Sequence, residues 1–199
     1  MARTDNRLPD VLDAAARLFA ARGYAATSMR DIADACDMLP GSLYYHFAAK
    51  EDLLVAVYRA GVGELQKAVR AAVAPAQEPW ARLEAACGAH LETVLRSSDY
   101  AQVLVRVLPS DVPGASARLK ALRSEYEKQF RDLVSALPLP NGADRRVLRL
   151  MLLGALNWAR FWYAEHAPGA HRARPAGRDT PTSLARKFVA ILREAQHVR

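Results

Sequence analysis

At 199 residues, 51% of them hydrophobic, the chain can bury a sizeable core and is too apolar to be a disordered segment. Cys36 and Cys87 stand far apart with neither a CxxC nor a nearby histidine pair, which excludes a disulfide framework and a zinc site. No apolar run reaches the roughly 18 to 20 residues of a membrane span and the N-terminus has no signal region, so a cytoplasmic protein without a membrane partner is expected.

The formal charge of +7 is unevenly spread. Residues 1–50 carry six cations and six anions, whereas from Arg160 onward there are eight cations against three anions. Any hold on a polyanion must therefore come from a few placed cations, because the leading quarter of the chain is neutral.

Leu8, Val11, Leu12, Ala15, Leu18 and Phe19 recur at helical spacing, with Asn6 before them, Pro9 in the first turn and Gly23 after the last. They predict a first helix of about 15 residues. Ser28 with Asp31 three positions on reads as a capping box for a second helix, whose inner face is Met29, Ile32, Ala33 and Cys36 and which stops at Cys36 or Asp37. Pro40 suits the first position of a third helix. Its inner face is Leu43 and Phe47, leaving Ser42, Tyr44, Tyr45 and His46 on the other sides. Two short helices joined by a four-residue break, then aromatics and Lys50 at an exposed corner, make the segment Asp31 to Leu54 a helix-turn-helix that offers its second helix to DNA.

Beyond Lys50 no period-two alternation is long enough for a strand. Leu53, Leu54, Val57, Val62, Leu65 and Val69 mark a long fourth helix ending before Pro75. Further helical patterns run from about Trp80 to Arg96, Tyr100 to Leu108, Ala115 to Leu137, Ala143 to Ala164 and Pro181 to Gln196, and His166 to Thr180 reads as a long Arg-, Pro- and Gly-rich loop. The expected fold is all-α with about nine helices: a three-helix DNA-binding domain over residues 1–50 and a helical bundle for ligand binding and dimerisation over residues 51–199.

Residues 8–58, with LFAARGYAATSMRDIADAC, GSLYYHF and KEDLL in order, resemble the DNA-binding domain of the TetR family of bacterial transcriptional regulators. The resemblance implies a homodimer on a palindromic operator in double-stranded DNA, a small-molecule effector held by the C-terminal half, and neither catalytic residues, cofactor nor metal. Carried over position by position, it implies backbone contacts from Tyr44, His46 and Lys50 and a groove contact from Tyr45. Gly41 and Ser42 would stand at the front of the recognition helix, and Thr27, Ser28 and Arg30 would anchor the same strand from the start of helix two. Three positions depart from the family pattern. Asp37 replaces the usual turn glycine and can still turn left-handed, Leu39 and Pro40 replace a hydroxyl and a cation, and Ala49 replaces a capping serine. Leu39 is then expected to read a thymine methyl.

Met151 to Tyr163, with the loop and TPTSLARKFVAIL that follow, resembles the end of TetR regulators of lipid, sterol or aromatic-acid catabolism, some of which sense acyl-CoA thioesters. Leu148, Leu152, Ala155, Trp158 and Trp162 are expected on one face of this helix, with Leu153, Leu156 and Arg160 elsewhere. Asn157, Trp158 and Trp162 are candidates for the ligand, with Arg172, Arg174 and Arg178 for CoA phosphates. Leu153, Leu156, Phe188, Ile191 and Leu192 are candidates for the subunit interface. Several readings stay open. The leading one is a repressor released by an acyl-CoA thioester; a regulator of efflux or detoxification sensing a lipophilic drug or metabolite is the alternative within the class. A helical-bundle enzyme lacks any Ser/His/Asp, P-loop or HExxH pattern, and a nonspecific architectural binder conflicts with the neutral first fifty residues.

Overall fold

The computed structural model describes residues 7–95, 98–165 and 179–194, and among them every regular element is helical. Nine α-helices follow in order: α1 Leu8–Arg22, α2 Met29–Ala35, α3 Pro40–His46, α4 Lys50–Val73, α5 Pro79–Leu95, α6 Asp99–Arg106, α7 Ser116–Ser135, α8 Arg145–Glu165 and α9 Pro181–Glu194. Single 3-10 turns at Pro109–Asp111 and Pro113–Ala115 occupy the approach to α7, because a proline opens each and cannot donate into a longer helix. No described helix is long and apolar enough to cross a membrane.

The chain divides into two compact units, one of residues 1–63 and 97–125 and one of 64–96 and 126–199, so α4 and α7 each give residues to both. In the first unit α2 packs on α1 and α3, and α1 also packs along α6. Val11, Ala15, Ala16 and Phe19 of α1, Ile32 and Ala33 of α2 and Leu43 of α3 are fully buried, which gives a small head its core without any large insertion. Polar ties supplement it: Tyr100 donates its hydroxyl to the Asp13 carboxylate at 2.7 Å, the Arg106 guanidinium donates to the Ala20 carbonyl, and Arg118 pairs with Asp52 at 2.6 Å. Gly61 is required where α4 meets α6, since a Cβ there would lie 2.9 Å from the Tyr100 carbonyl oxygen.

In the second unit α5 packs against both α8 and α9. Leu83, Ala86, Cys87 and Leu91 of α5 meet a core that includes Phe130 of α7, Leu152, Leu156 and Ala159 of α8, and Ala185 of α9, all buried. Arg149 of α8 donates to Glu127 of α7 at 2.7 Å, with the arginine side chain only 11% exposed. The inward face of α8 is therefore Leu152, Leu153, Leu156 and Ala159, and its outward face is Leu150, Met151, Gly154, Ala155, Trp158 and Phe161. This corrects the phase expected from the sequence. Leu152 and Trp158 are six residues and about 240° apart on a helix of 3.6 residues per turn, so they cannot share a face.

Candidate functional site

The turn between α2 and α3 is built by the residues that the sequence singled out. Ser28 caps α2: its hydroxyl accepts from the Asp31 amide at 3.1 Å while the Asp31 carboxylate accepts from the Ser28 amide at 2.7 Å and the hydroxyl at 2.6 Å. Those bonds hold the Asp31 carboxyl below its ordinary pKa. α2 ends at Ala35, and Asp37 takes φ 56, the left-handed conformation in which glycine is the easier residue. The Arg7 guanidinium donates to the Asp37 carbonyl at 3.2 Å and so braces the turn from the start of α1. Leu39 then extends the chain into α3 with no side-chain cap, and Pro40 supplies the fixed φ of a first helical position.

α3 is anchored by Leu43, fully buried, and presents the rest of its surface to solvent. Tyr45 is 89% exposed, Leu39 77% and Tyr44 52%, values far beyond what core-filling residues show. Tyr45 stands edge-on to His46 with centroids 5.5 Å apart, and Gly41 and Ser42 are exposed beside them. The Ser42 amide is taken by the Leu39 carbonyl at 2.9 Å, so its hydroxyl is the group it offers. A helix with two aromatic rings, an imidazole, a hydroxyl and a leucine on its outward side suits a groove that displays base edges and methyl groups.

The remaining expected DNA contacts divide. Arg30 is exposed at the start of α2 and, among the described residues, has no carboxylate partner. Thr27, expected at the DNA backbone, is instead buried, and its hydroxyl proton goes to the Gly23 carbonyl at 2.9 Å. Ser28 remains exposed, with its hydroxyl committed to Asp31. Lys50 donates to the Tyr24 carbonyl at 2.9 Å and the Thr27 carbonyl at 2.8 Å and lies 4.2 Å over the Tyr24 ring. An ammonium has three donors, so one proton is left for a phosphate, and the same lysine ties α4 to the segment that begins α2. Burial and the Glu51 carboxylate raise the Tyr24 phenol above its usual pKa.

In the second unit, His90 of α5 and Tyr126 of α7 form a buried polar cluster, with Asn157 of α8, singled out from the sequence, beside it. His90 Nδ1 and the Tyr126 hydroxyl are 2.6 Å apart, the two rings stack at 5.8 Å, and Phe130 meets the imidazole edge-on at 5.9 Å. Burial pushes the His90 pKa down to about 4, against the smaller opposing effect of the Asn157 amide, so the ring is neutral at pH 7. Its Nε2 is shut off from water, and the Asn157 amide is the polar group that acts on the ring besides the Tyr126 hydroxyl. The signal was present in the sequence: Cys87, Leu91 and Val94 put His90 on the apolar stripe of α5. Cys87 is buried and Cys36 partly so, and burial raises both thiols, which suits inert packing.

Asn157, expected as a polar handle, is half-buried beside that cluster. Trp158, expected near a ligand, points outward at 63% exposure and meets the Phe161 ring at a tilt of 37° with centroids 4.4 Å apart. The Trp162 side chain and Arg172, Arg174 and Arg178 lie outside the described residues. Leu153 and Leu156, expected at a subunit interface, are buried within their own unit and have no surface to offer a partner, whereas Ile191 is 63% exposed and Phe188 and Leu192 are half-exposed.

Two family models match the chain: the N-terminal model of the bacterial regulatory proteins of the tetR family over residues 11–57, and a tetracyclin repressor-like C-terminal domain over residues 76–195. The chain is 36% identical over 197 residues to the HTH-type transcriptional repressor KstR2 of Mycobacterium tuberculosis, covering 96% of this chain and 92% of the relative. It is 28% identical over 176 residues to the HTH-type transcriptional activator FasR of Mycolicibacterium smegmatis, covering 83% and 79%. Among solved structures, AibR in complex with isovaleryl coenzyme A and operator DNA aligns with a TM-score of 0.75 at 28% identity, covering 93% of this chain and 97% of that one.

Proposed function

Because the chain belongs to the TetR family of bacterial regulatory proteins, we propose that it is a homodimeric repressor of a palindromic operator, released when unit two binds an acyl-CoA thioester. The observation that carries the DNA half is α3, a helix pinned by Leu43 and turned so that Leu39, Ser42, Tyr44, Tyr45 and His46 face outward together. The base-reading work falls on Leu39, Ser42 and Tyr45, while Tyr44, His46, Lys50 and Arg30 position the head on the phosphates. With residues 1–50 neutral overall, nonspecific affinity is modest and specific readout dominates.

The dimer reading rests on the outward side of α8. Leu150, Met151, Trp158 and Phe161 form an apolar strip on α8, Ile191 of α9 is exposed as well, and a strip of this kind on a charged chain calls for a partner. A second copy gives two reading heads, as an inverted repeat requires. The effector reading is supported by the buried His90, with the half-buried Asn157 beside it in an otherwise apolar setting, and by AibR, whose solved complex holds isovaleryl coenzyme A together with operator DNA. An effector that favours the DNA-incompetent arrangement releases the operator by population shift. Selection of bound duplexes from a random pool by the purified protein tests the DNA half: an inverted repeat is expected, and recovery of only asymmetric or unrelated sequences refutes it.

A further inference from the structure

The recognition segment is as informative in what it lacks as in what it shows. From Met38 to Ala49 the chain contains no Arg, Lys, Asn, Gln, Asp or Glu. Those are the side chains that separate bases sharply in the major groove: Arg or Lys at O6 and N7 of guanine, Asn or Gln at N6 and N7 of adenine, Asp or Glu at N4 of cytosine. The next cation, Lys50, is committed to the Tyr24 and Thr27 carbonyls. The hydroxyls of Ser42 and Tyr45 each bond a donor or an acceptor equally well, so a single bond from either discriminates little. One base feature is left that a helix of this composition distinguishes by close fit, the C5-methyl group of thymine, which is read by apolar contact.

The outward side of α3 has the shape for it. Gly41 and Tyr45 each stand two residues from the buried Leu43, about 200° around a helix of 3.6 residues per turn, so both face away from the core, with the ring one turn beyond the glycine. Leu39 precedes the glycine by two residues, in an extended conformation and 77% exposed. Gly41 itself is helical and exposed, without the left-handed φ that calls for glycine, and a Cβ there would meet no atom within 4 Å. Glycine costs a helix stability relative to alanine, and nothing in this fold asks for it. What it provides is a shallow place between an isobutyl group and a phenol ring, where the helix backbone comes close to whatever lies against it.

We infer that Leu39, Gly41 and Tyr45 form a notch that seats the C5-methyl group of a pyrimidine in the major groove, so that α3 recognises each operator half-site through a methyl group and not through a purine edge. The inference rests on the reading of α3 as a DNA-recognition helix and specifies the chemistry that it reads. Leu39 and Tyr45 supply the apolar walls, and the missing side chain of Gly41 supplies the room. At the seated position 5-methylcytosine then substitutes for thymine, whereas uracil and cytosine, which lack the methyl group, do not.

The probe is the duplex that the purified full-length protein selects from a random pool, resynthesised with deoxyuridine for thymidine at one position at a time together with its symmetry mate, and read by fluorescence anisotropy. Burial of one methyl group is worth about fourfold in affinity, so at the seated position uracil in both half-sites should weaken binding about fifteenfold. A 5-methylcytosine–guanine pair there should bind tighter than a cytosine–guanine pair by about the same factor. Leu39→Ala should bind the thymine duplex more weakly and should not tell it from the uracil duplex. Gly41→Ala should leave the urea midpoint unchanged or raise it, weaken operator binding about tenfold or more, and leave binding to a scrambled duplex unchanged. A half-site with no thymine, or with none sensitive to uracil, overturns the notch while leaving operator binding standing. Uracil sensitivity that survives intact in both variants assigns the methyl contact to other residues and overturns the notch as placed. Recovery of no preferred sequence from the pool overturns the DNA reading of α3 and the notch with it.

Discussion

Replacing Trp158 by glutamate should separate the subunits without unfolding them. An aromatic side chain buries about 150 to 250 Å² when fully enclosed, and Trp158 is 63% exposed in a single chain, so about 150 Å² of it is available to a partner. At about 25 cal/mol per Å² that is about 4 kcal/mol per subunit and about 8 kcal/mol across a two-fold interface. Association converts area to affinity incompletely, so half of it, about 4 kcal/mol, is the working figure, or about a thousandfold in the dimer dissociation constant. Glutamate adds the cost of a carboxylate facing apolar surface. Sedimentation velocity over a micromolar concentration series reads the outcome, with circular dichroism as the check on folding, since an exposed side chain adds little to its own subunit. A W158E protein that sediments as a dimer at the same concentrations as the unaltered chain would refute the assignment of the outward face of α8.

Other consequences are open to direct measurement. Tyr45→Ala, at an 89% exposed position, should leave stability within about 0.5 kcal/mol yet weaken operator binding about tenfold; an equal loss on unrelated duplexes would make Tyr45 a backbone contact instead. Lys50→Met removes two charged hydrogen bonds, to the Tyr24 and Thr27 carbonyls, and should cost about 2 to 3 kcal/mol in urea denaturation, whereas an unchanged midpoint would mean that water replaces the ammonium freely. His90 titrates at about 4 when folded against an ordinary value of 6.5, so its contribution is complete above pH 6.5 and is lost as pH falls through 4. The full difference is about 3 kcal/mol, and His90→Gln should flatten stability over that interval, as read by urea midpoints from pH 7 to 4. Asp31, held low by Ser28, contributes stability that disappears only as pH falls below the ordinary carboxylate range; Asp31→Asn should therefore remove part of the steepest acid limb.

Much of the head was legible because its signals are local. The Ser28 and Asp31 pair, Pro40 at a first helical position and the alternation of Leu43 with exposed tyrosines each act within a turn or two of chain, and the observed helices follow them closely. Thr27 was not legible, since nothing in its neighbours tells a backbone-facing hydroxyl from one that bonds back to Gly23. The phase of α8 failed for a different reason. Met151 and Trp158 are as apolar as Leu152 and Leu156, so periodicity alone cannot say which face meets α5 and which faces out.

The repressor account is tested most directly by fluorescence anisotropy of its selected operator duplex, titrated with the protein and then with an acyl-CoA panel and the matching free acids. It predicts binding as a dimer to an inverted repeat and release by at least one thioester at concentrations where the free acid leaves the complex intact. Equal potency of acid and thioester, or an operator complex that no thioester disturbs, would contradict it.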